Sequence, residues 1–574
     1  MSERRICMKS NKTDQTERPI GLGRVLLRLL ALVHGLEGWM ILAIVAGVAG
    51  FLCALGIPVF GIAAAASSLD GPWAISFGTA ALCMILFAVL RGILRYGEQA
   101  CNHYIAFRLL AQIRDKVFRK LRKLGPEKLD GKSKGDLISL ISSDVELLEV
   151  FYAHTISPVC IALISALLYV IIGFSVHYSI GLLLLASYLS VSLFIPLLYG
   201  KKASVSGMER RKANAALSSV VLENVRGIDE IIQYSMKDSR QEKMDQQTHA
   251  LLDAETSHKK ETISVSNTAL LFVTLFSLAM TLLCVSLAGS GAIYWDQALV
   301  MIVFQASSFG PFMALSNLTA GLSQTLAAAR RVIALLDEKP LTPEITNGKD
   351  VVYTGMQTDE MSFSYDKKTP VLEQVSLSFA PGEIVGIEGK SGCGKSTLLR
   401  LLMRFYDPDK GTVSMSDTPL NKLNTRSLRS KQSVVLQESI LFTDSIRNNL
   451  LLAKPDATDE EIKAACRKAS IDTLIESLPD GYDTILAEAG SSLSSGEKQR
   501  LGLARALLHD GEMLLMDEPT SNLDSLNEGA ILRAIATETQ QKTVILISHR
   551  KGTLSFADRI LEMEKVPNET REKA

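Results

Sequence analysis

Residues 389–397 read Gly389, Lys390, Ser391, Gly392, Cys393, Gly394, Lys395, Ser396 and Thr397. The pattern Gly-x-x-x-x-Gly-Lys-Ser is complete from Gly389 to Ser396. Glycines let successive backbone N–H groups turn inward around phosphate oxygens, and a helix starting just beyond points its positive end at the same anion. Lys395 is then placed to reach the β- and γ-phosphates, and the Ser396 hydroxyl to meet a Mg²⁺ ion. A second stretch, GEMLLMDEPTSNLD at 511–524, runs through four apolar residues into Asp517 and Glu518. An acid at a strand end can hold the metal shell, and its neighbour can polarise an attacking water. Asp517 is therefore assigned to Mg²⁺ and Glu518 to general-base duty. The chemistry these residue types imply is hydrolysis of a nucleoside triphosphate.

These residues need elements to position them. EIVGIEG (383–389) reads as a buried strand, and KSTLLRLLMRF (395–405) as the helix that follows the glycine loop. Residues 351–574 thus read as an α/β P-loop NTPase domain. Residues 338–350, EKPLTPEITNGKD, form a Pro- and Gly-bearing linker before it. Basic and acidic residues balance at 61 each, so no net field favours a nucleic-acid partner. The cysteines at 7, 53, 83, 101, 160, 284, 393 and 466 form no Cys-x-x-Cys pair, which argues against a disulfide framework or a zinc site. The opening MSERRICMKSNKTDQTERP lacks the apolar core of a signal peptide.

The preceding part of the chain is of another kind. A membrane span needs roughly 20 apolar residues. Uncharged runs at 38–69, 71–90 and 150–200, the last long enough for two spans with a break near 175–179, are joined by runs at 262–295 and 297–329. The expectation is six transmembrane helices within 38–337. The connections near 67–73, 175–179 and 289–297 carry no Lys or Arg, whereas the N-terminus and segments 91–150 and 201–260 are rich in both. By the positive-inside rule both termini, both long loops and the ATPase domain face the cytoplasm, in a multi-pass protein of the cytoplasmic membrane. Residues 1–37 comprise a cytoplasmic N-terminus and, over 20–36, an interfacial elbow helix. The long loops read as helical extensions of the spans, each turned at its far end by glycines in 126–137 and 223–230.

Residues 351–574 resemble the nucleotide-binding domain of ABC transporters. The resemblance implies that Tyr365 in FSYD stacks on adenine and that Gln437 in VVLQES is the Q-loop glutamine, which touches Mg²⁺ and reports to the membrane half. It also implies a D-loop at Asp524, and in His549 of ILISHR a switch histidine for the γ-phosphate. In this family two ATPase domains dimerise head to tail, and each ATP lies between one P-loop and the other domain's signature. The signature here is LSSGEKQR (493–500), so Ser494, Ser495, Gly496 and Glu497 are expected to face ATP held by a partner subunit. Six spans followed by one such domain is the layout of an exporter-type half-transporter, and the glycine-bearing turns would be its coupling helices.

The signature departs from Leu-Ser-Gly-Gly-Gln at two positions. Ser495 adds a Cβ and a hydroxyl where backbone must approach phosphate, with crowding or an unusual backbone angle as the expected result. Glu497 brings a negative charge near a polyanion, to be offset by Lys498 or Arg500. Lys395, Glu518 and His549 are intact. An asymmetric heterodimer reconciles these facts, in which one of two ATP clamps does most of the hydrolysis; the competing reading is that the serine is tolerated and both sites turn over.

Stretches 95–121, 135–158 and 324–337 resemble the CydC-type subunit, a family that pairs with CydD in a heterodimer linked to export of cysteine or glutathione, with haem also implicated. Arg91 and Arg95, one helical turn apart and followed by Glu98, form a candidate substrate cavity for the carboxylates of a small anionic molecule. Snorkelling arginines at the interface are the other reading. His34, His103, His154 and His177 lie near membrane boundaries, and their spacing singles none out as a haem ligand. Three alternatives stay open: an exporter-fold importer of siderophore or haem iron, a multidrug or peptide exporter, and a non-transporting ATPase regulator.

Overall fold

In the computed structural model the described residues are 22–66, 72–73, 75–129, 134–317, 319–487, 490, 492–521, 528–529, 532, 542–564 and 566. They divide into two compact units. One comprises residues 1–120 and 132–338, the other residues 121–131 and 339–574.

The first unit is helical. An amphipathic helix α1 (Leu22–Ala31) buries Val25 and Leu29 and leaves Leu27 and Leu30 exposed. Six helices long and apolar enough to cross a membrane follow. They are α2 (Glu37–Ala65), α3 (Phe77–Leu124), α4 (Gly135–Val176), α5 (178–226, with a π-helical turn at Ser190–Phe194), α7 (Lys237–Gly289) and α8 (Trp295–Ser307, continued by α9, Gly310–Asn317). Short α6 (Ile228–Gln233) separates α5 from α7, and α10 (Thr319–Asp337) ends the unit. At 1.5 Å per residue α7 is about 80 Å long, far more than the ~30 Å hydrocarbon core. The six expected spans and their helical extensions are all present.

Each span is apolar all round, so lipid and neighbouring helices share its surface. On α4, Leu163, Leu167, Ile171 and Phe174 recur at helical spacing and are exposed, while Ile161, Ser165, Tyr169 and Gly173 are buried on the opposite side. The α4–α5 hairpin closes tightly at His177: a Cβ on Gly181 would lie 2.6 Å from the Phe174 ring, and one on Gly173 2.6 Å from Leu184. Neither position has room for a side chain.

Two boundaries differ from expectation. The turn expected at 223–230 is the first of two corners. Gly227 ends α5, and Ser235 then takes a left-handed φ of 52°. Its N–H bonds to Ile232 O at 3.2 Å and the Met236 N–H to Ile231 O at 2.9 Å, closing α6 with a Schellman motif. A serine in the place usually held by glycine hides this corner from a search for glycines. The sixth span breaks at Ser308–Phe309, because Pro311 has no N–H to continue the ladder and the Ser308 hydroxyl bonds Gln305 O and the Tyr188 hydroxyl instead.

The second unit is α/β. Strands β1 (Met356–Phe363), β2 (Leu372–Phe379), β4 (Lys410–Met415) and β5 (Thr418–Pro419) make an antiparallel sheet in the order β2-β1-β4-β5. A parallel sheet in the order β6-β7-β8-β3-β9 combines β3 (Ile384–Gly389), β6 (Gln432–Val435), β7 (Met513–Asp517), β8 (Thr543–Ile547) and β9 (Arg559–Met563). Strands β7 and β8 are buried throughout, as continuous apolar runs in a covered parallel sheet should be. Helix α11 (Lys395–Leu402) follows β3. Helices α12 (Thr425–Lys431), α13 (Ile446–Leu451), α14 (Asp459–Lys468) and α15 (Asp472–Ser477) lead to α16 (Ser495–His509). Residues 121–131 cluster with this unit, where buried Glu127 accepts hydrogen bonds from the N–H (3.1 Å) and hydroxyl (2.7 Å) of Thr342.

Candidate nucleotide site

Four adjacent strands of the parallel sheet, β6, β7, β8 and β3, carry chemistry-bearing residues at their C-terminal ends. Gln437 follows β6, Asp517 and Glu518 close β7, His549 follows β8, and the glycine loop follows β3. The edge of a parallel sheet at the C-terminal strand ends is where α/β folds bind ligands. A cleft of about 550 Å³ opens there, lined by Gly389, Ser391, Gly392, Gly394, Lys395, Ser396, Thr397, Gln437, Asp517, Glu518, His549 and Val371.

The loop is held in the shape the glycines allow. Gly392 and Gly394 take φ of +78° and +102°, and a Cβ on Gly394 would meet Leu372 at 2.7 Å. Lys395 Nζ donates back to the carbonyls of Gly389 (2.7 Å) and Lys390 (3.1 Å), which sets its ammonium over the loop. Cys393 is buried beneath the loop and Lys390 is exposed outside it, and neither lines the cleft.

The acidic pair divides by environment. Asp517 is 8% exposed. Burial raises its pKa from the usual carboxylate range, against a hydrogen bond from the Ser396 hydroxyl. Glu518 sits in the left-handed region at φ 48°, a conformation that costs a non-glycine residue on the order of 1 kcal/mol. Its carboxylate accepts from Gln437 Nε2 at 3.4 Å and lies 3.2 Å from His549 Nδ1. Its backbone is pinned on both sides. The N–H donates to Ile547 O at 2.9 Å, and the carbonyl accepts from Gln499 Nε2 at 2.8 Å and from Ser521 N at 3.2 Å.

Tyr365 stands beside this cleft and does not line it. Its hydroxyl is 3.1 Å from the Thr397 hydroxyl, and its ring packs edge-on against Phe363 and Tyr406 at 5.0 and 5.3 Å. Asp366 braces the loop by accepting from the N–H groups of Lys368 (2.9 Å) and Thr369 (2.7 Å), bonds that hold its carboxyl far below the usual range. Asp524 lies outside the described residues.

None of Ser494, Ser495, Gly496 and Glu497 lines the cleft. They open α16 through a capping box: the Ser494 hydroxyl accepts from Glu497 N at 3.3 Å, and the Glu497 carboxylate accepts from Ser494 N at 2.8 Å. Two expectations are corrected by this geometry. Ser495 has ordinary right-handed φ as the first residue of a helix and is exposed, so no unusual backbone angle is required. The charge of Glu497 is taken up by its own helix terminus and not by Arg500, whose guanidinium donates to Ser470 O at 2.7 Å. Helix α16 is anchored farther along by buried Gln499, by Arg505 bonding the carbonyls of Ile440 and Asn449, and by Gly502, where a Cβ would lie 2.0 Å from the Ser439 hydroxyl. The Gln499 contact escaped sequence reading, since it joins residues on different elements.

In the membrane unit a second cavity of about 300 Å³ is lined by residues including Arg95, Glu98, Gln99, His154 and Phe51. Glu98 is 3% exposed and accepts from Arg95 at 2.7 Å. Arg91 is exposed and does not line it. His103 and His154 meet edge to face at 5.7 Å, His103 also lies 3.6 Å from Glu149, His34 pairs with Glu37 at 2.7 Å, and His177 caps α5 through Ser179. Among the described residues no group of three or more His, Cys, Asp or Glu is placed to hold a metal ion, and the seven described cysteines are free.

Comparison with known proteins agrees with this geometry. Residues 372–521 match the family described as ABC transporter, and residues 34–312 the family described as ABC transporter transmembrane region. The chain is 40% identical over 541 residues to a probable ABC transporter ATP-binding/permease protein of Haemophilus influenzae, covering 94% of this chain and 98% of that one. It is 30% identical over 554 residues to the glutathione/L-cysteine transport system ATP-binding/permease protein CydC of Escherichia coli, covering 94% and 95%. It is 34% identical over 382 residues to the mycobactin import ATP-binding/permease protein IrtB of Mycobacterium tuberculosis, covering 64% and 65%. In fold it matches a bacterial Atm1-family ABC exporter solved with ATP bound, at a TM-score of 0.80 and 23% identity over 93% of this chain and 95% of that one.

Proposed function

The chain belongs to the ABC transporter family, as an exporter-fold half-transporter that couples ATP hydrolysis to membrane transport, and on that premise we propose that it pairs with a different subunit to export a small polar thiol. A half-transporter works as a dimer. Its multi-pass domain lies in the bilayer, and the Lys and Arg distribution supports cytoplasmic termini and a cytoplasmic ATPase domain.

The observation that carries the ATPase reading is the meeting of four strand ends at one cleft. The glycine loop N–H groups and Lys395 bind the phosphates, and Tyr365 supports the adenine. Glu518 takes a proton from the attacking water. His549 and Gln437 hold the Glu518 carboxylate and sense the γ-phosphate. Buried Asp517 beside the Ser396 hydroxyl gives oxygen donors suited to a hard cation. They would hold Mg²⁺ together with Gln437, and the ion would neutralise charge on the phosphates.

The substrate reading rests on the membrane-unit cavity and on the CydC relative, whose printed name carries glutathione and L-cysteine. Buried Glu98 paired with Arg95 presents both signs of charge in a small space, which suits a zwitterion better than a large hydrophobic cation. Heterodimer formation is supported by the altered signature, which would lie against the partner's ATP, while this chain's own catalytic set is complete.

The test is ATPase stimulation of the co-purified transporter by glutathione, cysteine, haem, peptides and hydrophobic cations. Stimulation by the thiols, lost in Glu98→Gln, is expected. Stimulation by hydrophobic cations alone overturns the substrate reading. The IrtB relative motivates an import reading, and vesicles of known orientation that accumulate substrate on the ATPase side would establish it.

A further inference from the structure

Resting on the reading of Glu518 as general base, we propose that Gln499, in the signature helix, is a positioning residue that fixes the base of the chain's own ATP site. Gln499 is the fifth residue of α16 and is 2% exposed. Its amide reaches 19 positions along the chain, to the residue just past β7, and donates to the Glu518 carbonyl at 2.8 Å.

The location matters because of the backbone at Glu518. A left-handed residue at a strand end is not held by its own torsional preference, so its neighbours must hold it. The Glu518 N–H is fixed by β8 through Ile547 O. The carbonyl is fixed by the Gln499 amide and, at the longer distance of 3.2 Å, by Ser521 N. These bonds set the direction in which Cβ leaves the chain, and so where the carboxylate meets Gln437 and His549. Without the Gln499 donor only the longer bond from Ser521 N holds the following peptide plane, and a displacement near 1 Å at a reacting group can cost about 100-fold in rate.

A consequence for the assembled transporter follows. The first turn of α16, Ser494 to Glu497, is the part proposed to face ATP bound by the partner. Gln499 lies one turn farther along the same helix. A shift of α16 on engaging the partner's nucleotide therefore reaches Glu518 through the hydrogen bond from buried Gln499, linking the two ATP sites.

The experiment is steady-state ATP hydrolysis by the co-purified transporter carrying Gln499→Leu, Glu518→Gln or both. Gln499→Leu should lower kcat about 10- to 100-fold with KM for ATP within about two-fold, and should slow the Glu518→Gln protein no further, because both changes act through one group. Gln499→Met keeps the length of the side chain without a donor and should repeat the result if the leucine variant fails to fold. A kcat within two-fold of the parent, or the same factor lost on both backgrounds, overturns the positioning role. Full activity of Glu518→Gln alone overturns the base assignment itself, a separate outcome.

Discussion

The P-loop cleft and the N-terminus of α16 are the two surfaces proposed to meet ATP, and they are built in opposite ways. The cleft leaves its anion-binding groups open: the loop glycines take positive φ, Lys395 is held over the loop by carbonyls, and among the described residues no side chain caps the helix that follows. At α16 the helix terminus is already occupied, since Glu497 folds back onto Ser494 N. A carboxylate that satisfies its own helix competes with any phosphate approaching the same N–H groups. One surface is kept ready for a polyanion, and the other is partly neutralised by its own chain.

The largest effect should come from the open surface. Lys395→Ala removes a charge-assisted contact to phosphate, so the affinity of the purified transporter for ATP should fall about 10- to 100-fold by nucleotide titration. An unchanged affinity would mean that the cleft does not hold the phosphates. Asp517→Asn comes next and has two signatures. Magnesium stimulation of hydrolysis should be lost. The nucleotide-free protein should become more stable at neutral pH, because burial raises the Asp517 pKa. A raised folded pKa means that the native state binds the extra proton, so this contribution is full below the ordinary carboxylate range and is lost as pH rises through the raised value. Thermal unfolding across pH should show the parent-to-mutant gap narrowing as pH falls.

A smaller effect is expected from Tyr365→Ala, which removes one aromatic face beside the cleft and should weaken ATP binding about 2- to 10-fold. The smallest is expected at the capped surface. Ser495→Gly should change turnover less than about two-fold, since Ser495 sits unstrained in an ordinary helical turn. Glu497→Gln keeps the capping bond and removes the charge. A large rise in turnover on that change would show that the partner-facing site is limited by Glu497, and would break the idea that the other clamp carries the hydrolysis.

Much of the first surface was legible because each part is a local motif at the end of an apolar strand. The P-loop, the Asp517-Glu518 pair and the histidine after β8 each sit on a stretch of a few residues. Their meeting depends on the strand order β6-β7-β8-β3, which no local stretch encodes. Gln499 shows the limit. Within LSSGEKQR it reads as one more polar helix residue, and only the tertiary packing of α16 turns it toward Glu518. The capping box was present in the sequence as Ser-x-x-Glu, yet Glu497 is first read as a charge near phosphate because the family pattern places glutamine there. In the membrane half, apolar runs set the spans, but the corner at Ser235 depends on a left-handed serine, which residue type does not announce.

The central claim is that this chain's own cleft does most of the hydrolysis while its signature serves the partner's site. The direct measurement is the ATPase rate of the co-purified transporter carrying Glu518→Gln in this chain and a wild-type partner. A loss of about 100-fold or more is predicted, the scale expected for removal of a general base. Full activity would contradict the account.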